Sequence, residues 1–458
     1  MILSKSVSER RDMILNGKIF KSLIVLSIPT ILMAFVQSLI PFTDGYFLNN
    51  YGGVLVAGAV TFSQPVINIL MGLSQGLGAS AMAIIGQYNG RNDVKKVKHY
   101  STQILMFSLL MGLIIAPINV LIAHILANNV NPQVGPYISK YLSYYALVMP
   151  LLFLASIYNG IKNAMGQPEA TFYRIIILLI LKIIFNVLFL EVLHLGIVGA
   201  ALASLASYVI IAIWMIYDLF IKKTETQLSI KGFKFDRYAL REVIKLALPS
   251  MISYSFVYLG FFLINMEVEH YGPKVLNATG IANNINALAF TVPSSISTTV
   301  TTMVSMNIGT GNGEKAKQVM YKGLILSLIL SVIIVIFFFP GAPKLVELFQ
   351  RNTRDPEIIS LATYALNIYT FSVFAFAPYM VLQGTFIGLG QTKITMIVGV
   401  LRIWFFRFLF ILATRSFLGV KSVFWGNLFS NFVTAIIFFV VIQFTEWKPI
   451  IDDEKKAA

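Results

Sequence analysis

Four ionisable side chains lie inside long apolar stretches of this 458-residue sequence: Asp44, Lys182, Arg402 and Arg407. A charge in the hydrocarbon of a bilayer costs roughly 3 kcal/mol, so such residues face a cavity or a partner and mark functional sites. Asp44 is the clearest candidate, because a carboxylate can take up and release a cation. The sequence therefore indicates ion chemistry within a membrane.

Other kinds of chemistry are excluded by composition. The sequence has no cysteine, which excludes disulfides, thiolate metal sites and cysteine nucleophiles. Its histidines include no pair at i, i+4, which excludes a zincin-type site. With 57% apolar and only 12% charged residues, the chain also lacks the roughly 25% charged content of a soluble protein.

Twelve apolar segments are long enough to cross a bilayer, since a helix needs about 20 apolar residues to do so. Their approximate cores are 22–48, 56–85, 101–126, 137–160, 172–192, 197–220, 246–268, 276–307, 321–340, 358–387, 394–414 and 420–444. The sequence therefore predicts an all-α polytopic membrane protein. An even number of spans places both termini on the same side of the membrane.

The net charge of +15 predicts the orientation. Most Lys and Arg residues fall in connections on the side of the termini, with Lys162 and Arg174 counted among them, so the positive-inside rule places both termini in the cytoplasm. The basic runs at 91–98 and 222–245 then anchor the protein on anionic membrane lipids. We expect no nucleic-acid partner, and the apolar run from Ile19 is too long for a cleavable signal peptide.

The two halves of the chain repeat each other. L-S-I-P-T from Leu26 corresponds to L-A-L-P-S from Leu246, and the turn at Gly166 corresponds to the turn at Gly390. Because six spans separate the copies, the halves share one topology. The predicted domains are an N-terminal six-helix bundle at 1–220, a cytoplasmic linker at 221–245 and a C-terminal six-helix bundle at 246–458.

This pattern resembles the multidrug and toxic compound extrusion (MATE) family. The resemblance covers nearly the whole chain and depends on Pro29 and Asp44 in the first span, on glycine-rich turns after four spans, and on G-I-V-G-A-A-L-A-S from Gly196. It implies two pseudo-symmetric six-helix bundles, the MATE fold. It further implies a monomeric secondary antiporter, not an enzyme, in a bacterial-type plasma membrane. Such a protein exports organic, often cationic and amphipathic, small molecules in exchange for H⁺ or Na⁺ by alternating access and needs no cofactor.

Asn186 and Ser204 lie at the depth of Asp44, about 9 to 10 Å from the outer ends of their helices. The resemblance implies that these three residues form the cation-coupling site, and that bending of the first helix at Pro29 accompanies protonation of the aspartate. The alternative is that Asp44 lies at the outer interface, that Asn186 and Ser204 make ordinary interhelical hydrogen bonds, and that Pro29 is a tolerated kink.

The resemblance also places Gln37 and Asn163 in the substrate cavity. Aromatic and methionine side chains of the second half suit promiscuous amphipathic compounds, although most such residues face lipid or pack in the core. The candidate drug contacts of the second half are Tyr254, Tyr258, Phe374 and Met380.

The sequence departs from the family pattern in the number of its carboxylates. Leu190 occupies the position where the family often has a second acid, and Ile264 stands where the second half would carry a counterpart of Asp44. We therefore expect Asp44 to be a lone carboxylate, which favours its neutral form and exchange of H⁺ over Na⁺. Lys182 and Arg407 are too deep to reach the interface, and their roles stay open between structural pairing, substrate contact and headgroup binding.

Two other functions compete with drug export. A lipid-linked oligosaccharide flippase could use Lys182, Arg402 and Arg407 to bind pyrophosphate, but such proteins often have more spans and more arginines. A membrane-embedded transferase would need clustered acids or histidines on loops, and the external loops are short and poor in both.

Overall fold

The computed structural model describes residues 6–349 and 355–451, and this part of the chain contains twelve helices that are long and apolar enough to cross a membrane. The spanning helices, named first to twelfth in chain order, are Ile19–Gly52, Leu55–Gly90, Val94–Asn128, Gly135–Ala164, Pro168–Val192, Gly196–Ile221, Arg237–Glu269, Pro273–Gly309, Gly313–Leu348, Pro356–Gly388, Thr392–Leu418 and Lys421–Gln443. The prediction of twelve spans is confirmed. Some basic residues behind the orientation prediction lie outside the described residues: Lys5, Arg351, Arg354, Lys455 and Lys456.

Several helices begin before their apolar core because polar side chains cap them. The seventh helix begins at Arg237, within the segment predicted as linker, and the Asp236 side chain accepts hydrogen bonds from the N–H groups of Tyr238 and Ala239. Burial alone would raise the pKa of Asp236, but these donors and His99 outweigh burial and lower it. The cap therefore stabilises the helix at neutral pH and loses its effect as the pH falls through the lowered pKa.

The first spanning helix packs against both halves of the protein. Ile19, Leu23 and Leu26 belong to an apolar core formed mainly by the eighth, ninth, tenth and twelfth helices. Phe47 and Leu48, at the other end, belong to the core of the N-terminal bundle. The changeover between the two cores lies around Pro29.

The seventh helix makes the corresponding exchange. Val243 and Met251 belong to the core of the N-terminal bundle, whereas Ile264 and Val268 belong to a core of the C-terminal bundle. One half of the first helix thus packs in the C-terminal bundle, and one half of the seventh helix packs in the N-terminal bundle. A bend in either helix would couple the two bundles mechanically.

The two bundles are in backbone contact on the side of the membrane that carries the termini. A Cβ atom added at Gly90 would lie 2.1 Å from the Met306 carbonyl oxygen, and one added at Gly309 would lie 2.1 Å from the Gln87 carbonyl oxygen. The Arg91 side chain donates to the Gly309 carbonyl at 2.8 Å. The repeated glycine turns of the sequence therefore close this side, because only glycine permits such an approach.

Gly309→Ala should separate the bundles on this side. The added methyl group has no room, and overpacking of this kind costs about 1 to 3 kcal/mol. Because the chain has no cysteine, Ser305→Cys supplies a single buried thiol in the contact. We expect a thiol reagent to label it roughly tenfold faster or more in the Gly309→Ala background.

Gly280→Ala is the matched control, since nothing lies within 4 Å of a Cβ at this position of the same helix. Its labelling rate should equal that of the parent. Equal rates in Gly309→Ala and Gly280→Ala would contradict the closure described here.

Candidate ion-coupling and substrate site

The carboxylate of Asp44 is held by two side chains of the fifth helix. The Lys182 ammonium donates to Asp44 Oδ2 at 2.5 Å, and the Asn186 amide donates to Asp44 Oδ1 at 3.0 Å. Lys182 also donates to the Ser204 hydroxyl of the sixth helix at 3.1 Å. Asp44, Asn186 and Ser204, predicted as one layer, are thus joined into one network by Lys182.

Local structure explains how these helices come together. Lys182 and Asn186 are one turn apart on the same face of the fifth helix, which continues beyond Asn186 as a π-helical segment, Val187–Val192. A Cβ at Gly199 would lie 2.8 Å from the Phe189 carbonyl oxygen. The small residues of the sixth helix therefore allow the close approach that brings Ser204 to Lys182.

The two charges of the pair differ in burial. The side chain of Lys182 is 7% exposed, whereas that of Asp44 is 27% exposed. Asn186 and Ser204 are both buried. The carboxylate is therefore the member of the network that protons or ions in the adjoining cavity can reach.

The site holds no second carboxylate beside Asp44 among the described residues, but the expectation that Asp44 is a lone charge is wrong. Lys182 forms a direct ion pair with it, so the carboxylate has a counter-charge inside the membrane. The signal was present in the sequence, because the i, i+4 spacing of Lys182 and Asn186 places both side chains on one helix face. Of the roles left open for Lys182, the structure shows pairing.

A cavity of about 320 Å³ adjoins the pair and extends from Leu48, near the outer end of the first helix, to Asn159 and Arg174, in the inner halves of the fourth and fifth helices. Asp44, Lys182 and Gln37 line it, in agreement with the placement of Gln37 in a cavity. The other polar side chains of the lining are Thr61, Gln64, Asn68, Ser74, Gln75, Tyr141, Tyr145, Ser156, Asn159, Arg174 and Tyr208. This volume is at the lower end of the range for sites that bind small organic molecules.

Arg174 is a cavity residue that the sequence reasoning missed. It was counted with the cytoplasmic connections, but it is only 4% exposed and its Nε donates to Asn159 Oδ1 at 3.0 Å. The fifth helix begins at Pro168, which puts Arg174 about 9 Å inside it. The predicted core, 172–192, held Arg174 only two residues from its end, so the charge was counted with the connection, whereas the helix extends beyond that core to Pro168.

Lys162 was assigned to a connection for the same reason. It is 7% exposed, and its ammonium lies 2.6 Å from a carboxylate oxygen of Asp218 in the sixth helix. The Tyr158 hydroxyl donates to the same carboxylate at 2.8 Å. This buried network ties the fourth helix to the sixth near the side of the termini.

The remaining predicted contacts lie outside the cavity lining. Asn163 lies in the closed contact between the bundles, where its carbonyl accepts a hydrogen bond from Thr302 at 3.0 Å. Tyr258 contacts the lining from outside, because its hydroxyl accepts a hydrogen bond at 3.2 Å from Gln75, which lines the cavity. The structure therefore places Gln37, but not Asn163, in the lining of the cavity that Asp44 and Lys182 also line.

The aromatic and methionine candidates of the second half pack within the protein. The Tyr254 backbone touches Gly72 of the second helix, and Met380 packs against an apolar core of the C-terminal bundle. Phe374 meets Phe371 edge to face at 5.7 Å.

Two arginines lie buried in the C-terminal bundle, on a π-helical segment of the eleventh helix, Leu401–Phe408. Arg402 donates to Asn431 at 3.1 Å and lies 4.7 Å from the centre of the Tyr379 ring. Arg407 lies 5.3 Å from the centre of the Phe261 ring. Within the described residues, neither arginine has a carboxylate within 4.0 Å.

Two prolines interrupt the hydrogen bonding of the first helix. Pro29 is buried between the two cores, and Pro41 lines the cavity one turn before Asp44. A proline has no N–H to donate to the carbonyl four residues earlier, so both positions can bend. Pro41 is the closer of the two to the ion pair, and the sequence reasoning did not single it out.

Comparison with known proteins agrees with this architecture. The family model described as MatE matches residues 29–188 and 249–412. The chain is 23% identical over 445 residues to the probable multidrug resistance protein YoeA of Bacillus subtilis, covering 94% of each chain. It is 24% identical over 436 residues to the multidrug export protein MepA of Staphylococcus haemolyticus, covering 93% of this chain and 94% of the relative.

A solved structure has the same fold. It is the outward-facing conformation of a multidrug resistance MATE family transporter of the MOP superfamily, with a TM-score of 0.89. The two sequences are 22% identical, and the match covers 96% of this chain and 98% of that chain. The predicted fold, two bundles of six spanning helices, is confirmed.

A double-mutant cycle should detect the Asp44–Lys182 pair. Asp44→Asn and Lys182→Met should each lower the melting temperature in detergent, because each leaves a charge inside the protein without its partner. The double variant should lose less than the sum of the two, with a coupling energy of about 1 to 3 kcal/mol. Lys140→Met, at an exposed lysine, should change little. Strictly additive losses would show that the two residues do not interact.

Proposed function

This chain belongs to the MatE family, and from that premise we propose that it exports small amphipathic organic compounds across the plasma membrane in exchange for protons. Two of its relatives are named for multidrug resistance or export. The observation that carries the proposal is a cavity of about 320 Å³ that shares Asp44 and Lys182 with the buried ion pair. A site for a cation and a site for an organic compound then adjoin each other.

The cavity favours drug export over the flippase alternative. Its volume suits a compound of modest drug size, and its lining mixes amide and hydroxyl groups with apolar side chains such as Ile67, Met71 and Leu152. A lipid-linked oligosaccharide would need a far larger groove. Of the three cations that the flippase alternative would use, Arg402 and Arg407 do not line this cavity, and Lys182 lines it but is paired with Asp44.

Exchange of H⁺ is favoured over exchange of Na⁺ by the position of Lys182. Its ammonium occupies Asp44 Oδ2 and the Ser204 hydroxyl, which are oxygens that a sodium ion would need as ligands. Asn186 presents its amide N–H₂ to the carboxylate and not its oxygen. A proton needs only the carboxylate itself, which is accessible from the cavity.

The transport cycle follows from the charge balance of the pair. With Asp44 ionised, the pair holds the first helix against the fifth and the cavity stays open to a compound. A proton on Asp44 removes the attraction, so the first helix is free to bend at Pro41 and Pro29 into the cavity. Since Gln37 and Pro41 line the cavity, this movement reduces its volume and expels the compound.

The proton and the compound therefore bind at different groups, and they exclude each other because the first helix, once bent, occupies the space of the compound. Their opposition across a two-state equilibrium is what exchange requires. With both termini assigned to the cytoplasm, the glycine contact at Gly90 and Gly309 closes the cytoplasmic side, and the cavity, which reaches Leu48 near the outer end of the first helix, is open outward. Alternating access then requires this contact to open.

Proteoliposomes with imposed gradients test the proposal. We expect a pH gradient to drive transport of a fluorescent amphiphile and an equal Na⁺ gradient without a pH difference to drive none. Asp44→Asn should abolish the response to pH, because it removes the proton acceptor. Asp12→Asn, at an exposed aspartate of the N-terminal helix, is the matched control and should transport normally. Unchanged pH-driven transport in Asp44→Asn would contradict the assignment of Asp44 as the proton acceptor.

A further inference from the structure

Arg174 presents unused hydrogen-bond donors to the cavity. Its guanidinium carries five N–H donors, and the one contact within hydrogen-bond distance is from Nε to Asn159 Oδ1. The residue as a whole is 4% exposed, yet it belongs to the cavity lining. Its terminal nitrogens have no hydrogen-bond partner among the described residues.

The charge of Arg174 is also unbalanced. Asp44, Lys182 and Arg174 are the charged residues of the lining, and the first two neutralise each other. No carboxylate of the described residues lies within 4.0 Å of Arg174. The cavity therefore has a net positive charge when the ion pair is formed.

A buried, unpaired guanidinium is a recognition group for oxyanions. Its planar fork donates two parallel hydrogen bonds to a carboxylate or sulfonate, and charge-assisted bonds of this kind are the strong ones. A cationic compound would instead meet an unpaired positive charge in a region of low dielectric. The same cavity offers apolar side chains, Met71 and Ile175 among them, for the body of the compound.

We propose that Arg174 is the binding subsite for the carboxylate or sulfonate group of an amphipathic organic anion. This assignment rests on the proposed export function and names the charge class of the compound. Asn159, which holds the guanidinium through its Nε, is a positioning residue. The Tyr208 hydroxyl in the same lining is a further donor for the bound oxyanion.

Two buried positive charges of the C-terminal bundle also favour an anionic compound. Arg402 and Arg407 are buried without a carboxylate partner among the described residues. They do not line the cavity, so they form no part of the subsite. They do add to a positive interior, which favours an anion over a cation.

Anion binding at Arg174 is compatible with proton exchange because the two sites are separate. Arg174 lies eight residues before Lys182 on the fifth helix, or about 12 Å along its axis. Protonation of Asp44 leaves the cavity more positive, so charge alone would strengthen anion binding. Release must therefore come from the inward bend of the first helix proposed above.

Equilibrium binding of two matched dyes tests the subsite. One is a diethylaminocoumarin that carries a carboxylate, and the other is the same coumarin with a trimethylammonium group in its place. Binding to the purified full-length protein is measured by fluorescence anisotropy in a neutral detergent, at one pH and one salt concentration. We expect the wild type to bind the carboxylate dye about tenfold more tightly or better, as charge-assisted bonds predict.

Arg174→Gln should bring the ratio of the two affinities to about one, and Arg174→Lys, which keeps the charge but loses the fork, should give an intermediate ratio. Arg402→Gln removes a buried arginine outside the cavity and should leave the preference for the carboxylate dye in place. Size-exclusion profiles and melting temperatures of the three variants identify any that fail to fold.

Three outcomes would overturn the assignment. The first is a preference of the wild type for the ammonium dye, and the second is an unchanged ratio of affinities in Arg174→Gln. The third is a loss of preference in Arg402→Gln as large as that in Arg174→Gln, since selectivity would then come from the positive charge of the whole interior. The dye binding is measured at equilibrium without a gradient. A negative binding result would therefore leave proton exchange untouched, and absence of pH-driven transport would leave anion binding at Arg174 untouched.

Discussion

The structure depends on one interaction, the ion pair between Asp44 and Lys182 inside the membrane. Two unit charges 4 Å apart attract by about 4 kcal/mol at an effective dielectric constant of 20, and either charge alone would bear the cost of dehydration. The pair joins the first helix to the fifth, with Asn186 and Ser204 completing its hydrogen bonds. In the proposed cycle, the shape of the adjoining cavity therefore follows the protonation state of this one carboxylate.

The route from that carboxylate to the rest of the protein is the first helix. Its ends belong to different apolar cores, and Pro29 lies at the changeover. The N-terminal helix, Val7–Asn16, adds a second link on the side of the termini, because Arg10 pairs with Glu169 of the fifth helix at 3.0 Å. The seventh helix repeats the exchange of cores but carries Ile264 where the first carries Asp44. In the proposed cycle, ion coupling is thus confined to one bundle of a pseudo-symmetric pair.

Much of this architecture could be predicted from the sequence because the bilayer imposes a strong pattern. Twelve apolar runs predicted the twelve spans, and depth along each helix grouped Asp44, Asn186 and Ser204 correctly. Two predictions were wrong, for separate reasons. The ion pair with Lys182 depends on the direction in which the fifth helix faces, which the rise per residue does not give. The burial of Arg174 depends on that helix beginning at Pro168 and not at the predicted 172. The packing of the first and seventh helices into two apolar cores each depends on contacts between distant segments, which the pattern of a single segment does not predict.

A distance measurement between the outer ends of the first and fifth helices tests the central claim most directly. Because the chain has no cysteine, Tyr46→Cys and Val192→Cys, both at 60% exposed positions near the outer ends of the first and fifth helices, accept spin labels without other changes. Electron–electron double resonance on this variant should show the distance between the labels changing from alkaline to acidic pH. In the Asp44→Asn background the distance should be the same at both. A distance that is the same at both pH values in the protein with Asp44, or a pH-dependent change in distance that persists in Asp44→Asn, would contradict control of the first helix by this carboxylate.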